Sequence, residues 1–258
     1  MRSVHDFAYG QARLQARHGA RPQEADWRAL DGARTLAAHL ERARAVMPRD
    51  WTDGLDAGLS SHAVEAALRR VAARGVDEVA HWVPEPWRPS LRGMGLLPAL
   101  PWVAAALRDE PLPAWADAEP WAAPLVGLDP AARRAVLATT AAAPLLAAGA
   151  GGEDVGRAWA AAWRRSWPAG ADADAALIDL ADLVVRLFAT PTRGDRTRDL
   201  GARRPLLERR LLRHFRRGAG SVAAAIAHLA LTLLDLERFR GITVRRCLFS
   251  GADAEVAV

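Results

Sequence analysis

Apolar residues recur every three or four positions along most of this chain, and almost nowhere at every second position. That period describes helices with one buried face. The dominant residues, alanine, leucine and arginine, are all good helix formers. Only 241–249 (GITVRRCLF) has a β-like composition, and it reads equally as a helix end. The expected fold class is all-α and multi-helical.

Helices are expected at 4–18, at 22–30 opened by Pro22, and at 33–46 stopped by Pro48. Asp50, Asp53 and Gly54 read as a turn. Ser60 or Ser61 caps the next helix, with Glu65 placed to complete the cap and Val64, Leu68 and Val71 as its apolar stripe. Residues 83–124 are rich in Pro and Trp, which predicts a packed connector of short helices. Further helices are expected at 129–143, 153–167, 172–189, 205–217 and 221–239, with a glycine joint at 149–152 and a polar basic loop at 190–204. In the last helix Val222, Ile226, Leu229, Leu233 and Leu236 form a heptad-like seam. The expected organisation is an N-terminal helical unit at 1–82, a Pro/Trp-rich unit at 83–148 and a C-terminal helical unit at 149–258, or one continuous domain.

With 258 residues, 51% of them hydrophobic, the chain is ample for a buried core. Every basic side chain apart from histidine is arginine, since lysine is absent, as is asparagine. This is the mark of a GC-rich coding bias, so the pI near 10.8 carries little functional weight. The net charge of +5 is mildly basic and suits an acidic protein partner or a membrane surface. One cysteine, Cys247, excludes an intrachain disulfide, which suits a reducing cytoplasm. The opening residues lack the apolar stretch of a secretory signal. The apolar run at 222–234 is too short and broken to span a bilayer, so any membrane role is expected to be peripheral.

No motif carries catalysis. The seven histidines show no metal-ligand spacing. The GAGGEDVG segment at 149–156 follows an alanine-rich helix and reads as a hinge rather than a dinucleotide loop. Asp179 and Asp182 share a helix face, but no second acidic pair accompanies them to hold Mg²⁺. No metal or cofactor is expected, and no small-molecule substrate is evident. Arginines cluster at 203–217 (Arg203, Arg204, Arg209, Arg210, Arg213, Arg216 and Arg217) and again at 238–246. Such faces grip phosphates or carboxylates. Without a helix-turn-helix, zinc-finger or RNP motif, nucleic acid is the disfavoured partner and protein the favoured one.

Two segments together carry a family likeness. FAYGQARLQARHG at 7–19 begins a first helix with Tyr9 and the pair Ala12-Arg13, and leads through LAAHLERA to SSHAVEAALRRV, with His62, Glu65 and Leu68. AAAIAHLALTLLDLERFRGITVRR at 223–246 is a long apolar helix bearing Glu237, then Arg240 and Ile242. The two resemble the C-type subunit of archaeal and bacterial V-type ATPases, known as the d-type subunit in the vacuolar enzyme. The chain departs from that family in being short and basic and in its Pro/Trp-rich middle. The resemblance implies a funnel of three similar helical units on the cytoplasmic face of the membrane ring. A protein of that family receives the central shaft and passes torque without catalysis. Its implied partner-binding residues are Tyr9, Arg13, Arg17, Glu237, Arg238, Arg240 and Arg245. The rival readings are a helical adaptor unrelated to ATPases, motivated by the Pro/Trp-rich middle, and an arginine-rich nucleic-acid-binding protein.

Overall fold

The computed structural model describes residues 2–107, 112, 116–117, 122–146, 155–188 and 200–249, side chains excepted at 2–6, 172 and 200–203. Among them every regular element is a helix and no strand occurs. In chain order the α-helices are α1 (Arg2–Gly19), α2 (Glu24–Asp31), α3 (Leu36–Val46), α4 (Arg49–Thr52), α5 (Ser61–His81), α6 (Arg88–Gly93), α7 (Leu100–Leu107), α8 (Pro130–Leu137), α9 (Val155–Arg165), α10 (Ala175–Phe188), α11 (Leu200–Arg217) and α12 (Val222–Phe249). The joint at 149–152, the loop residues 190–199, Trp115 and Trp121 lie outside the described residues.

Two compact units form, each from segments distant in sequence. One comprises 1–14 with 76–231 and the other 15–75 with 232–258, a different partition from three consecutive segments.

Local chemistry explains where helices begin. The Asp129 carboxylate accepts from the Ala132 N–H at 2.8 Å, and Pro130 follows at the first helical position. The Ser60 hydroxyl accepts from the Ala63 N–H at 3.2 Å and caps α5. Glu65 lies two residues beyond the position a capping box needs, and it faces Arg240 instead. Pro22 does not open α2. Gln23 is the capping residue, and its N–H donates to the Asp26 carboxylate at 2.7 Å. Asp50 belongs to the short helix α4, and the turn is made by Asp53 and by Gly54, whose φ of +76° favours glycine.

Three expected boundaries move. The helix at 129–143 ends at Leu137, where the Thr139 and Thr140 hydroxyls donate back to the Val136 and Leu137 carbonyls. Pro205 lies inside α11, not at its start. Residues 241–249 continue α12 as helix, so their β-like composition is overridden by helical neighbours.

In the first unit, tryptophans join short helices. Trp159 and Trp163, one turn apart on α9, stack at 5.0 Å, and Trp163 meets Trp167 edge-on at 5.4 Å. The indole N–H groups of Trp159 and Trp163 donate to backbone carbonyls of α6, Gly93 at 2.9 Å and Ser90 at 2.7 Å. The expected apolar seam of α12 is buried, and so is every residue of 224–231 between its members. This stretch of α12 is therefore a core helix, not an amphipathic one.

The segment Glu85–Leu107 matches a membrane span in length and apolar composition. Half of its apolar window is buried in the protein, and Pro86, Pro89, Pro98 and Pro101 divide it into short pieces.

Two glycines give opposite predictions. A Cβ on Gly10 would lie 2.3 Å from the Trp82 backbone carbonyl oxygen, so Gly10→Ala should cost about 1–3 kcal/mol through overpacking. Gly241, exposed within α12, has nothing within 4 Å of that position, so Gly241→Ala should stabilise by about 1 kcal/mol. Urea unfolding of both variants measures the two signs.

Candidate partner-binding surfaces

Four of the seven residues expected to bind partners lie on the second half of α12. There they are joined to the rest of their own unit. Asp235, one turn earlier, receives the Arg21 guanidinium at 2.8 Å, and both side chains are more than nine-tenths buried. Arg238 lies 4.6 Å above the Trp27 ring and donates both arms of its fork to Glu24, at 3.0 and 3.1 Å. Arg240 bridges Glu65 at 2.7 Å and Glu237 at 3.0 Å. Burial alone would lower its pKa, but the two carboxylates outweigh that and hold it above its ordinary value. Arg245 faces Asp31 at 3.6 Å, and Arg246 donates to the Asp31 carbonyl at 2.8 Å. Arg238, Arg240 and Arg245 thus reach other segments of the unit, whereas Glu237 pairs along its own helix with Arg240.

His39 completes this frame. Its Nε2 lies 2.9 Å from the Thr243 hydroxyl, and its ring stacks on Phe239 at 5.7 Å. Thr243 has one hydroxyl proton, which it donates to the Phe239 carbonyl at 2.9 Å. Burial pushes the His39 pKa down to about 4, and the cations Arg246 and Arg245 reinforce this against Asp31 and the Leu30 carbonyl.

Tyr9 and Arg13 are brought together in the first unit. The Arg13 Nε donates to the Tyr9 hydroxyl at 3.0 Å, and its guanidinium lies 5.3 Å from the Tyr9 ring and 6.0 Å from the Trp82 ring. Tyr9 is 61% exposed. Arg17 is exposed on α1 and belongs to the second unit.

The acidic pair on α10 is engaged by cations. Asp179 accepts from Arg210 at 3.2 Å and pairs with His214 at 3.1 Å, and Asp182 pairs with Arg164. Among the described residues no group of three or more His, Cys, Asp or Glu is arranged to hold a metal ion. Burial raises the Cys247 thiol pKa.

The arginines of α11 behave differently. Arg209, Arg213, Arg216 and Arg217 are exposed, and none makes a hydrogen bond or ion pair among the described residues. Leu211 and Phe215 are buried on the opposite side. The apolar period of Leu207, Leu211 and Phe215 already assigns these arginines to the outer face. That they lack internal partners depends on what other helices place beside them, which no local pattern encodes.

No protein-family model, curated protein or solved structure matches the chain.

The frame is testable at two of its contacts. Unfolded His39 protonates near pH 6.5 and folded His39 near 4. Its stabilising contribution is therefore complete above about 6.5 and falls away as pH drops to 4, by roughly 3 kcal/mol. In melting curves between pH 7 and 4, His39→Gln should lose stability less steeply than the unaltered protein, and parallel curves would reject the assignment. Asp235→Asn removes the carboxylate charge from the buried pair with Arg21 and should cost about 3–5 kcal/mol. Combining it with Arg21→Met should recover most of that in urea unfolding.

Proposed function

We propose that this protein is a non-catalytic coupling subunit of a V-type-like rotary ATPase, linking a central shaft to a membrane ring on the cytoplasmic face. The observation that carries this reading is the cross-linked second unit. A part that transmits force must not deform between its two contacts, and the charged arms of α12 tie that helix to α2, α5 and the segments around them. The same helix bears Glu237, Arg240 and Ile242, on which half of the family resemblance rests. The other half rests on Tyr9 and Arg13, which form an exposed aromatic–cation pair suited to a protein contact.

A second reading, a helical adaptor unrelated to ATPases, is favoured by residues 85–107. Their proline-broken helices are held by the tryptophans of α9, an arrangement outside the pattern of that family. In either case the partners are proteins.

The test is an affinity pull-down of the tagged protein from gently solubilised native membranes, with companions identified by mass spectrometry. Shaft and ring proteins in near-stoichiometric amounts are expected. Recovery of soluble proteins alone would reject the coupling role and leave the adaptor.

A further inference from the structure

We infer that the outer face of α11 is a docking strip for an acidic amphipathic helix of a partner protein. The helix turns 100° per residue, so Leu206, Arg209, Arg210, Arg213, Arg216 and Arg217 fall within about a third of its circumference. Five of these six are arginines and none is acidic. Arg210, at one edge, is tied to Asp179, and the remaining four arginines have no anionic partner among the described residues. The contrast with α12 is direct, because Arg238, Arg240 and Arg245 each face a carboxylate of their own unit.

The shape of the strip selects the partner. Arg209, Arg213 and Arg216 advance by four and then three residues, or about 6 and 4.5 Å along the axis. Carboxylates on one face of another helix recur at the same intervals, so a helix laid alongside offers one acceptor to each guanidinium in a single register. Leu206, 54% exposed at one end, supplies an apolar contact that fixes that register. A duplex presents phosphates on both sides of a groove about 12 Å wide, and a single row of cations on one helix reaches only one side. Insertion into a bilayer requires an apolar face, and the apolar face of α11 is already buried through Leu211 and Phe215.

The full-length protein tests this with four labelled probes at about 50 mM salt, where surface charge acts most strongly. The first is an alanine-based helical peptide with glutamates confined to one face, and the second an isomer of equal composition with glutamates spread around the helix. The third is a short DNA duplex and the fourth a set of phosphatidylserine vesicles. The one-faced peptide should bind about tenfold tighter than its isomer, a difference of about 1.4 kcal/mol. Arg213→Glu with Arg216→Glu should remove that preference and leave the melting temperature unchanged. A peptide with lysines at the two facing positions should then bind the doubly reversed protein. Equal binding of the two isomers, failure of the lysine peptide, or tighter arginine-dependent binding of DNA or vesicles would each overturn the proposal. The outcome is separate from the pull-down, because an acidic helix can belong to a partner outside any rotary ATPase.

Discussion

The buried ion pair between Arg21 and Asp235 is the contact around which the second unit is arranged. Two charges taken out of water are tolerated only when each satisfies the other at close range. That requirement sets the position of α12 against the segment between α1 and α2 within narrow limits. Each later turn of α12 adds a further tie: Arg238 to Glu24 and Trp27, Arg240 to Glu65, and Thr243 to His39. The partially exposed pairs contribute modestly one by one. Their value lies in number and direction, since they reach out from one helix to several separate segments.

The first unit solves a different problem. Proline divides 85–107 into short helical pieces, and a buried carbonyl without a partner is costly. Tryptophan meets both needs at once, because its ring fills the gap between short helices and its N–H satisfies a carbonyl there. Trp159 and Trp163 do this for Gly93 and Ser90. Trp159 and Trp163 thus have a structural role beside the prolines of 85–107.

Arginine plays two roles that composition cannot separate. A coding bias that replaces every lysine with arginine makes each basic residue look alike in sequence. In the folded chain some guanidinium groups are fixed by carboxylates, as on α12, and others, Arg209, Arg213, Arg216 and Arg217 on α11, face outward without an anionic partner among the described residues. A fixed guanidinium stiffens the protein, whereas an unpartnered one is available to another molecule. Of the residues expected to bind partners, Glu237, Arg238, Arg240 and Arg245 stand mainly in the first role.

The class of structure is local in origin and could be read from the residues alone. Helical period and cap residues such as Asp129 and Ser60 act within a few residues of chain, so they are legible without any tertiary information. The core faces of α5 and α11 followed from the same local period. Other features arise only when the chain packs. The composition of 241–249 could not reveal that α12 runs through it, because burial of Ile242 and Thr243 favours the helix there. The pairing of Arg21 with Asp235, 214 positions apart, is invisible to any window of sequence. The division into two units of alternating segments, and the difference between a clamped arginine and an open one, have the same cause. Each depends on which side chains from distant segments meet in space, and only the packed chain brings them together.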